Sequence, residues 1–504
     1  MKKQGGFLRK LLGRLSGAGG EEREKMEHEL PFVVMIFALM AASGVSPYDS
    51  WKKMRKLSFL PNFKKEAEEV VRQVEVLGKD PLTVMYLRAE KTSSKLYRNF
   101  LGGFVSSVRS GGKMVDYLKS ELKAIFELRH NSLTRSVEKV ATIVEAYTVM
   151  LIVILCTYIL FVVFSSNGMS SLMAGTSLPT SPVMSYIIAF LFMPFLTGIF
   201  ILIAHNMQKS SFQNLKGLYK KALIIIIPCG AAIIAFAMIP ALSNSTGPIG
   251  LPEVATICLV TGSIIPAIQY RKIAKVNYNA EDSIPHFIRD VTEAHKIGLS
   301  PEKSIVQATK RKEYGGFQKM LELVRSQIEW GVPLRKTFTN LSKQIRSWFV
   351  ILNFAMMIET IEIGGDSTQS LEILSEYSEK ERELQINRRA MLKPYVMLAF
   401  VWSILIAVTT TIVAITTTMM NSVTSTSLAS VASMAMNDQM KVFSVGIILQ
   451  CWISGFFIGK ISEGNFGAGF QHSALLAGTA YVSLMLSQVL LSGLFHITPI
   501  GTFT

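Results

Sequence analysis

Seven long apolar runs constrain this chain more than any other feature of its sequence. They lie at residues 146–166, 184–207, 222–242, 252–270, 395–418, 441–459 and 473–495. Each is close to the ~20 residues that a helix needs to cross a bilayer. No Asp, Glu, Lys or Arg occurs between residues 146 and 208, and buried helices of a soluble protein would be neither so long nor so many. The sequence predicts an all-α, multi-pass membrane protein with about seven transmembrane helices.

The composition favours the same class of protein. Hydrophobic residues make up 49% of the 504 residues and charged residues only 17%, which is too little charge to cover a soluble protein of this length. Within the apolar runs lie all four cysteines, Cys156, Cys229, Cys258 and Cys451. They have no metal-ligand spacing and no partner in a loop, so we expect small apolar side chains and no disulfide.

The distribution of charge predicts the orientation in the membrane. The chain has a formal net charge of +16, and the loop 208–221 alone carries four lysines, whereas the loops 167–183 and 243–251 carry no basic residue. Basic loops stay on the cytoplasmic side, so the N-terminus is predicted inside and the C-terminus outside. Asn244 belongs to a glycosylation triplet in an outward loop, although such triplets are common by chance. The basic residues serve orientation, and no nucleic acid is expected as a partner.

Short motifs occur twice in one register. Proline is followed 16 residues later by a second proline in both copies, and a Gly-Gly pair comes further on. The repeated positions are Pro31, Gly44, Pro47, Gly111 and Gly112, and then Pro285, Gly298, Pro301, Gly364 and Gly365. Two motifs in one register over more than sixty residues indicate a duplicated domain. The predicted segments are a basic tail 1–27, a cytoplasmic domain 28–142, four spans in 143–270, a second cytoplasmic domain 271–394 and three spans in 395–504.

The repeated motifs have a local physical meaning. Gly44 and Gly298 suit the left-handed residue that ends a helix. The Ser-Pro pairs that end at Pro47 and Pro301 suit a helix cap followed by proline at the first helical position. Each copy is therefore predicted to be an all-α bundle of about six short helices. The Gly-Gly pairs lack the Lys-Ser/Thr of a phosphate-binding loop and follow no strand, so we interpret them as turns.

Chemistry-bearing constellations are not visible in the sequence. No nucleophile–base–acid set and no metal-ligand spacing occurs, so the chain is predicted not to be an enzyme and to hold no cofactor and no metal. An acidic cluster at Glu359, Glu362, Asp366 and Glu372 has two interpretations, a cation or basic-partner site and a solvated helical face, and the spacing favours the face. The interiors of the spans lack ionisable residues, and His205 and Glu145 lie near span ends, which disfavours the alternative function of a transporter or channel.

At the level of motifs the chain resembles a known family. The motifs are Glu29 to Phe32, Ser43 to Pro47, Leu77 to Pro81, Val108 to Gly112 and the glycine-rich stretch Gly459 to Gly464 before the last span. Over about residues 28–500 the chain resembles the type II secretion system F (GspF-like) domain family. It is most similar to the archaeal branch, the FlaJ/ArlJ- and TadC-like platform proteins of archaella and type IV pili. Lys113 departs from the pattern, because the family often has an acidic residue there, as at Asp366.

The resemblance implies a function and a set of partners. Such platforms lie beneath a growing filament, dock a cytoplasmic hexameric secretion ATPase and couple its motion to the extraction of pilin or archaellin subunits. Membrane lipids are implied as further partners. A homodimer is the simplest oligomer, because the platform must sit on a filament axis.

In each copy, one basic cluster follows the first turn. The clusters are Lys52, Lys53, Arg55 and Lys56 in the first copy, and Lys310, Arg311 and Lys312 in the second. We hypothesise that both clusters face the ATPase. The alternative is a solvated basic face or contact with anionic lipid. The basic tail 1–27 also has two interpretations, an amphipathic segment that lies on anionic headgroups and a disordered basic tail.

Overall fold

The computed structural model describes residues 18–57, 60–166, 187–207, 216–238, 250–311, 313–363, 367–423 and 429–495. Within these ranges the regular structure is helical, without a β-strand, which confirms the predicted all-α fold class. Among the described residues, seven helices are long and apolar enough to cross a membrane, by length and composition. The tail before residue 18, where an amphipathic segment is one of two predictions, lies outside the described residues.

The chain forms two compact units. The charged unit comprises Met1–Leu133 and Val276–Gln385, and the apolar unit comprises Thr134–Lys275 and Ile386–Thr504. Both copies of the repeat therefore belong to one unit. The exact limits of the two predicted cytoplasmic domains, at residues 28–142 and 271–394, stay predictions.

Six helices recur in the same order in the charged unit. The first set is α1 (Ala18–Ala42), α2 (Pro47–Met54), α3 (Pro61–Glu75), α4 (Pro81–Lys91), α5 (Lys95–Arg109) and the first part of α6 (Met114–Ser166). Two helices of the apolar unit follow, α7 (Met193–Met207) and α8 (Lys216–Met238). The second set is the last part of α9 (Leu251–Lys296), α10 (Pro301–Thr309), α11 (Gln318–Glu329), α12 (Leu334–Ser342), α13 (Trp348–Ile363) and the first part of α14 (Ser367–Val423).

Helix starts give the register of the repeat. The starts of α2, α4, α5 and α6 return 253 or 254 residues later. This confirms the predicted pair of helical bundles. The sixth helix of each copy differs from the prediction of six short helices, because it is long. α6 has 53 residues and α14 has 57, since their apolar second halves continue the helix as candidate membrane spans.

The two copies share one hydrophobic core. Residues 32–40 of α1 are all at most 4% exposed, because this stretch is apolar on every face of the helix. Phe32 contacts the ring of Trp348 of the second copy edge-on, with 4.5 Å between ring centroids. The ring centroid of Tyr377 in the second copy lies 5.0 Å from that of Phe126 in the first. Since either copy alone would expose these rings, the charged unit is one folding unit with two similar halves.

In the apolar unit the most closely packed element is a helical hairpin. It consists of α15 (Ala429–Glu463) and α16 (Phe466–Phe495). A Cβ placed on Gly459 would lie 2.3 Å from the backbone nitrogen of Gly469, and one on Gly455 would lie 2.3 Å from Ser473. The two backbones can approach this closely only because glycine has no side chain, a packing mode that membrane helices use often.

Polar side chains join other helices of the apolar unit. The Tyr147 hydroxyl lies 2.6 Å from the Ser454 hydroxyl, and the Gln450 amide donates to the Thr197 hydroxyl at 2.7 Å. These bonds connect α6, α15 and α7. In an apolar surrounding such groups need partners within the protein, so they restrict how the helices pack.

Candidate docking face of the charged unit

A glycine turn follows the first helix of the charged unit. Gly44 has a φ of +76°, and the amide of Val45 donates to the carbonyl of Met40 at 2.9 Å. This pattern ends a helix with a left-handed residue, which glycine adopts without steric cost. Ser46 then caps α2, whose first residue is Pro47.

The corresponding turn of the second copy has the same construction. Gly298 has a φ of +89°, and the amide of Leu299 donates to the carbonyl of Ala294 at 3.4 Å. Ser300 caps α10, which begins at Pro301. Both turns thus combine a left-handed glycine, a serine cap and a proline at the first helical position.

Further glycine turns follow α3, α5 and α11. Gly78 and Gly331 have φ values of +63° and +73° and stand 253 residues apart, a repeat that sequence reasoning missed. The signal was obscured because the next proline comes three residues after Gly78 but two residues after Gly331. Gly111, with φ +68°, follows α5, whereas Gly364 and Gly365, the repeat positions of Gly111 and Gly112, lie outside the described residues.

Contacts between helix ends bring the turns of the first copy together. Lys52 on α2 pairs with Glu75 at the end of α3, with 3.2 Å between nitrogen and oxygen. Asp80 at the start of α4 lies within the electrostatic reach of Arg109 at the end of α5, which contributes to lowering the pKa of Asp80 below its usual value after the larger effect of the Thr83 hydrogen bonds. The turns after α1, α3 and α5 therefore lie at one end of the bundle.

The second copy gathers its turns in the same way. Arg335 at the start of α12 pairs with Glu362 near the end of α13 at 2.6 Å. Lys296 at the end of α9 pairs with Glu372 near the start of α14. These two contacts place the end of α13 beside the turn that precedes α12, and the start of α14 beside the turn that follows α9.

The two sets of turns meet in one surface. The Ser43 hydroxyl at the end of α1 lies 3.1 Å from the Ser370 hydroxyl of α14, and the Ser370 hydroxyl donates to the carbonyl of Leu39. A single end of the charged unit thus carries the turns of both copies. We call this surface the turn face, and it comprises residues 43–47, 76–80, 110–113, 297–300 and 330–333.

The first predicted basic cluster lies beside the turn face and is partly neutralised. Lys52 and Arg55 pair with Glu75 at 3.2 and 3.9 Å. The hydrogen bond from Lys52 holds the pKa of Glu75 below its usual value. Lys56 is exposed and has no ion pair within the part of the chain that the structure describes.

The predicted acidic cluster is occupied by a cation of its own chain. Arg335 donates to Glu359 at 2.8 Å and to Glu362 at 2.6 Å. Burial raises the pKa of Glu359, while Arg335 and, more weakly, Lys53 of the first copy oppose that shift. Among the described residues, no group of three or more His, Cys, Asp or Glu could hold a metal ion.

The second predicted basic cluster is only partly described. Lys310 is exposed, and Arg311 pairs with the buried Asp290. Lys312, like Asp366 of the acidic cluster, lies outside the described residues. No hydrogen bond or ion pair joins the two basic clusters within the described ranges, and their role in partner binding stays a prediction.

The glycine-rich motif of the sequence forms the turn of the α15–α16 hairpin. Gly464 has a φ of +72°, and the buried Lys460 donates from Nζ to the Gly464 carbonyl at 2.6 Å. A Cβ on Gly467 would lie 2.3 Å from the ring of Tyr270. The residues of this motif therefore make their contacts within the apolar unit and stabilise the helical hairpin.

Taken together, a duplicated helical bundle and seven candidate spans define a multi-pass membrane protein with no visible catalytic centre among its described residues. The sequence model of the family "Type II secretion system (T2SS), protein F" matches the chain twice, at residues 34–162 and 287–415. The two matches start 253 residues apart, as the helices do, and together cover just over half of the chain. The chain belongs to this family, whose members are non-catalytic membrane platforms of secretion and pilus-type systems.

One relative is similar to this chain over most of its length. The uncharacterized protein MJ1286 of Methanocaldococcus jannaschii is 21% identical over 491 residues, which cover 92% of this chain and 80% of that protein. No solved structure matches the chain.

Proposed function

We propose that this platform protein docks a cytoplasmic secretion ATPase through the turn face and couples its motion to the extraction of pilin-like subunits into a filament. The observation that carries the proposal is the single charged unit, in which two family domains share one core and present their turns at one end. A surface made by both domains moves as one body when a partner moves it. This suits a protein that transmits force better than two domains joined by a linker would.

The same proposal includes an orientation. The turn face would lie in the cytoplasm, where ATP is available, and the C-terminus would lie outside. Single-cysteine variants test it: a cysteine at Lys79 should react with a membrane-impermeant maleimide only after permeabilisation. A cysteine added after Thr504 should react in intact cells. Reaction of the Lys79 cysteine in intact cells would reverse the orientation.

The docking experiment must preserve the shared core. Deleting either copy would expose rings such as Phe32 or Trp348, so loss of binding would have no clear meaning. Surface substitutions in the full-length protein avoid this problem. Lys56, Lys79 and Lys113 lie on or beside the turn face, are exposed, and have no ion pair within the described residues.

The partner to test is the secretion ATPase encoded by the nearest gene, called the neighbouring ATPase below. We expect the triple variant K56E/K79E/K113E to retain at least about tenfold less of it than wild type does in a pull-down from detergent. The matched control reverses three exposed lysines near those ends of α3, α4 and α5 that lie away from the turn face, K65E/K91E/K95E, and should stay within about twofold of wild type. Equal retention by both triples would remove the turn face from the proposal. If the intact wild type binds no ATPase, the proposed docking role fails and solute flux becomes the next measurement.

A further inference from the structure

Large apolar side chains are concentrated on the turn face. In the described part of the charged unit, six such side chains are exposed: Val76, Leu77, Tyr86, Leu128, Ile297 and Trp330. The four most exposed are Val76 (74%), Leu77 (59%), Ile297 (79%) and Trp330 (85%), and each stands at a glycine turn. A soluble surface rarely leaves tryptophan this exposed unless a partner covers it, because the ring loses favourable burial.

Leu77 and Trp330 are equivalent positions of the repeat. They stand 253 residues apart, and each comes directly before its turn glycine, Gly78 or Gly331. The turn requires only the glycine, where φ is positive, whereas Trp330 before it has a φ of −84° that any residue adopts. The apolar side chain is thus a feature that the fold does not demand and that both copies present at the same place.

The charges around the two positions differ. On the first-copy half, Lys56, Lys79, Arg109 and Lys113 are exposed without an ion pair in the described ranges. On the second-copy half, Glu329 beside Trp330 pairs with Arg325 at 3.9 Å, Arg335 alone pairs with both Glu359 and Glu362, and Lys336 is exposed. An anionic bilayer favours a uniformly basic surface, and the second half is of mixed charge, with two carboxylates on the one guanidinium of Arg335. A protein surface can match both halves, with acidic groups opposite the first and basic groups opposite the second.

We infer that Leu77 and Trp330 are paired anchors that insert into apolar pockets on the secretion ATPase. This inference rests on the proposed function and deepens it. A partner built from identical subunits presents the same pocket more than once, which suits a chain that presents an equivalent anchor twice. Two anchors on one rigid surface also bind more tightly than either anchor alone, since the second contact is intramolecular.

The test measures the affinity of the full-length, detergent-solubilised protein for the neighbouring ATPase. Trp330→Ala should weaken binding about 30-fold, because buried interface tryptophans dominate binding energy, and Leu77→Ala about fivefold. The matched controls are L128A and Y86A, which remove exposed side chains away from the turn face and should leave affinity within about twofold. Melting temperatures should not change, because both anchor side chains are exposed.

Three outcomes decide the matter. If wild type binds and W330A and L77A bind equally well, the inference is overturned while the proposed function stands. If wild type does not bind the ATPase at all, the proposed function fails and the inference fails with it. If brominated anionic lipid quenches Trp330 fluorescence in reconstituted vesicles, seen as the difference between wild type and W330F, the anchor contacts membrane and the inference is also overturned.

Discussion

Glu66 on α3 is a nearly buried carboxylate that holds two neighbouring helices. It accepts hydrogen bonds from Arg88 of α4 at 2.7 Å and from the buried Tyr97 hydroxyl of α5 at 3.2 Å. Replacing Glu66 by Ala leaves the guanidinium and the phenol without their acceptor. We expect the free energy of unfolding to fall by about 3 kcal/mol. Thermal unfolding in detergent, followed by near-UV circular dichroism, measures the loss.

The control for this prediction is an exposed ion pair on the same helix. Glu69 pairs with Arg72 at 2.7 Å, but the Arg72 side chain is 66% exposed. Solvent screens such a pair, so Glu69→Ala should cost less than about 1 kcal/mol. Equal losses in the two variants would show that burial is not what makes Glu66 important.

Glu29 provides a prediction for pH dependence. It accepts hydrogen bonds from the amides of Asn62 and Phe63 at 3.1 Å and so caps α3, whose own cap residue Leu60 has no side-chain acceptor. Burial raises the pKa of Glu29 above its usual value of 4.5, and the hydrogen bonds only partly oppose it. The folded state therefore binds the proton more tightly than the unfolded chain does. This contribution to stability is complete below the unfolded pKa and is lost as the pH rises through the folded pKa.

Glu29→Gln removes that titration. We expect the melting temperature of wild type, relative to the variant, to decrease as the pH rises from about 4 to about 7. A difference that stays constant over this range would mean that Glu29 does not titrate differently on folding. The comparison between the two proteins cancels the pH effects of all other groups.

At the scale of elements, the α15–α16 hairpin depends on glycine at the helix contact. Gly459→Ala places a methyl group 2.3 Å from the Gly469 nitrogen, so the two helices must separate and lose contacts along the hairpin. We expect a loss of at least about 1–3 kcal/mol. On the same hairpin, Gly478→Ala meets no atom within 4 Å and should be neutral or slightly stabilising. Thermal melting in detergent compares the two, and equal effects would contradict close packing as the reason for Gly459.

Elements were more predictable from the sequence than their partners. The apolar runs predicted the spans, and the Gly-Ser-Pro motifs predicted a duplicated helical domain, because both signals are local. The contacts of Arg311 with Asp290 and of Arg335 with Glu359 were not predictable, since helical periodicity does not say which helix faces which. For the same reason two basic clusters looked free in the sequence although Lys52, Arg55 and Arg311 have carboxylate partners. The exposed position of Trp330 also could not be predicted, because a single tryptophan in a helical pattern is usually expected to be buried in the hydrophobic core.

At the scale of the whole molecule, the main result is that the duplicated domains share a core. Between the two copies lie about 140 residues that include four candidate spans, so nothing local in the sequence indicates that the copies pack together. The structure shows it through Phe32, which contacts Trp348 and Tyr377 of the second copy. An ion pair between Arg129 and Glu381 adds a polar contact between the copies at 3.0 Å.

A shared core predicts that damage in one copy reaches the other. Phe32 is fully buried, and Phe32→Ala should cost about 3–5 kcal/mol by leaving a cavity beside Trp348 and Tyr377. Hydrogen–deuterium exchange of the full-length protein in detergent should then accelerate in α10–α13 of the second copy as well as in α2–α5 of the first. Faster exchange confined to the first copy would mean that the two domains unfold independently. In that case a force applied to one copy would not move the other, and coupling through a common turn face would lose its physical basis.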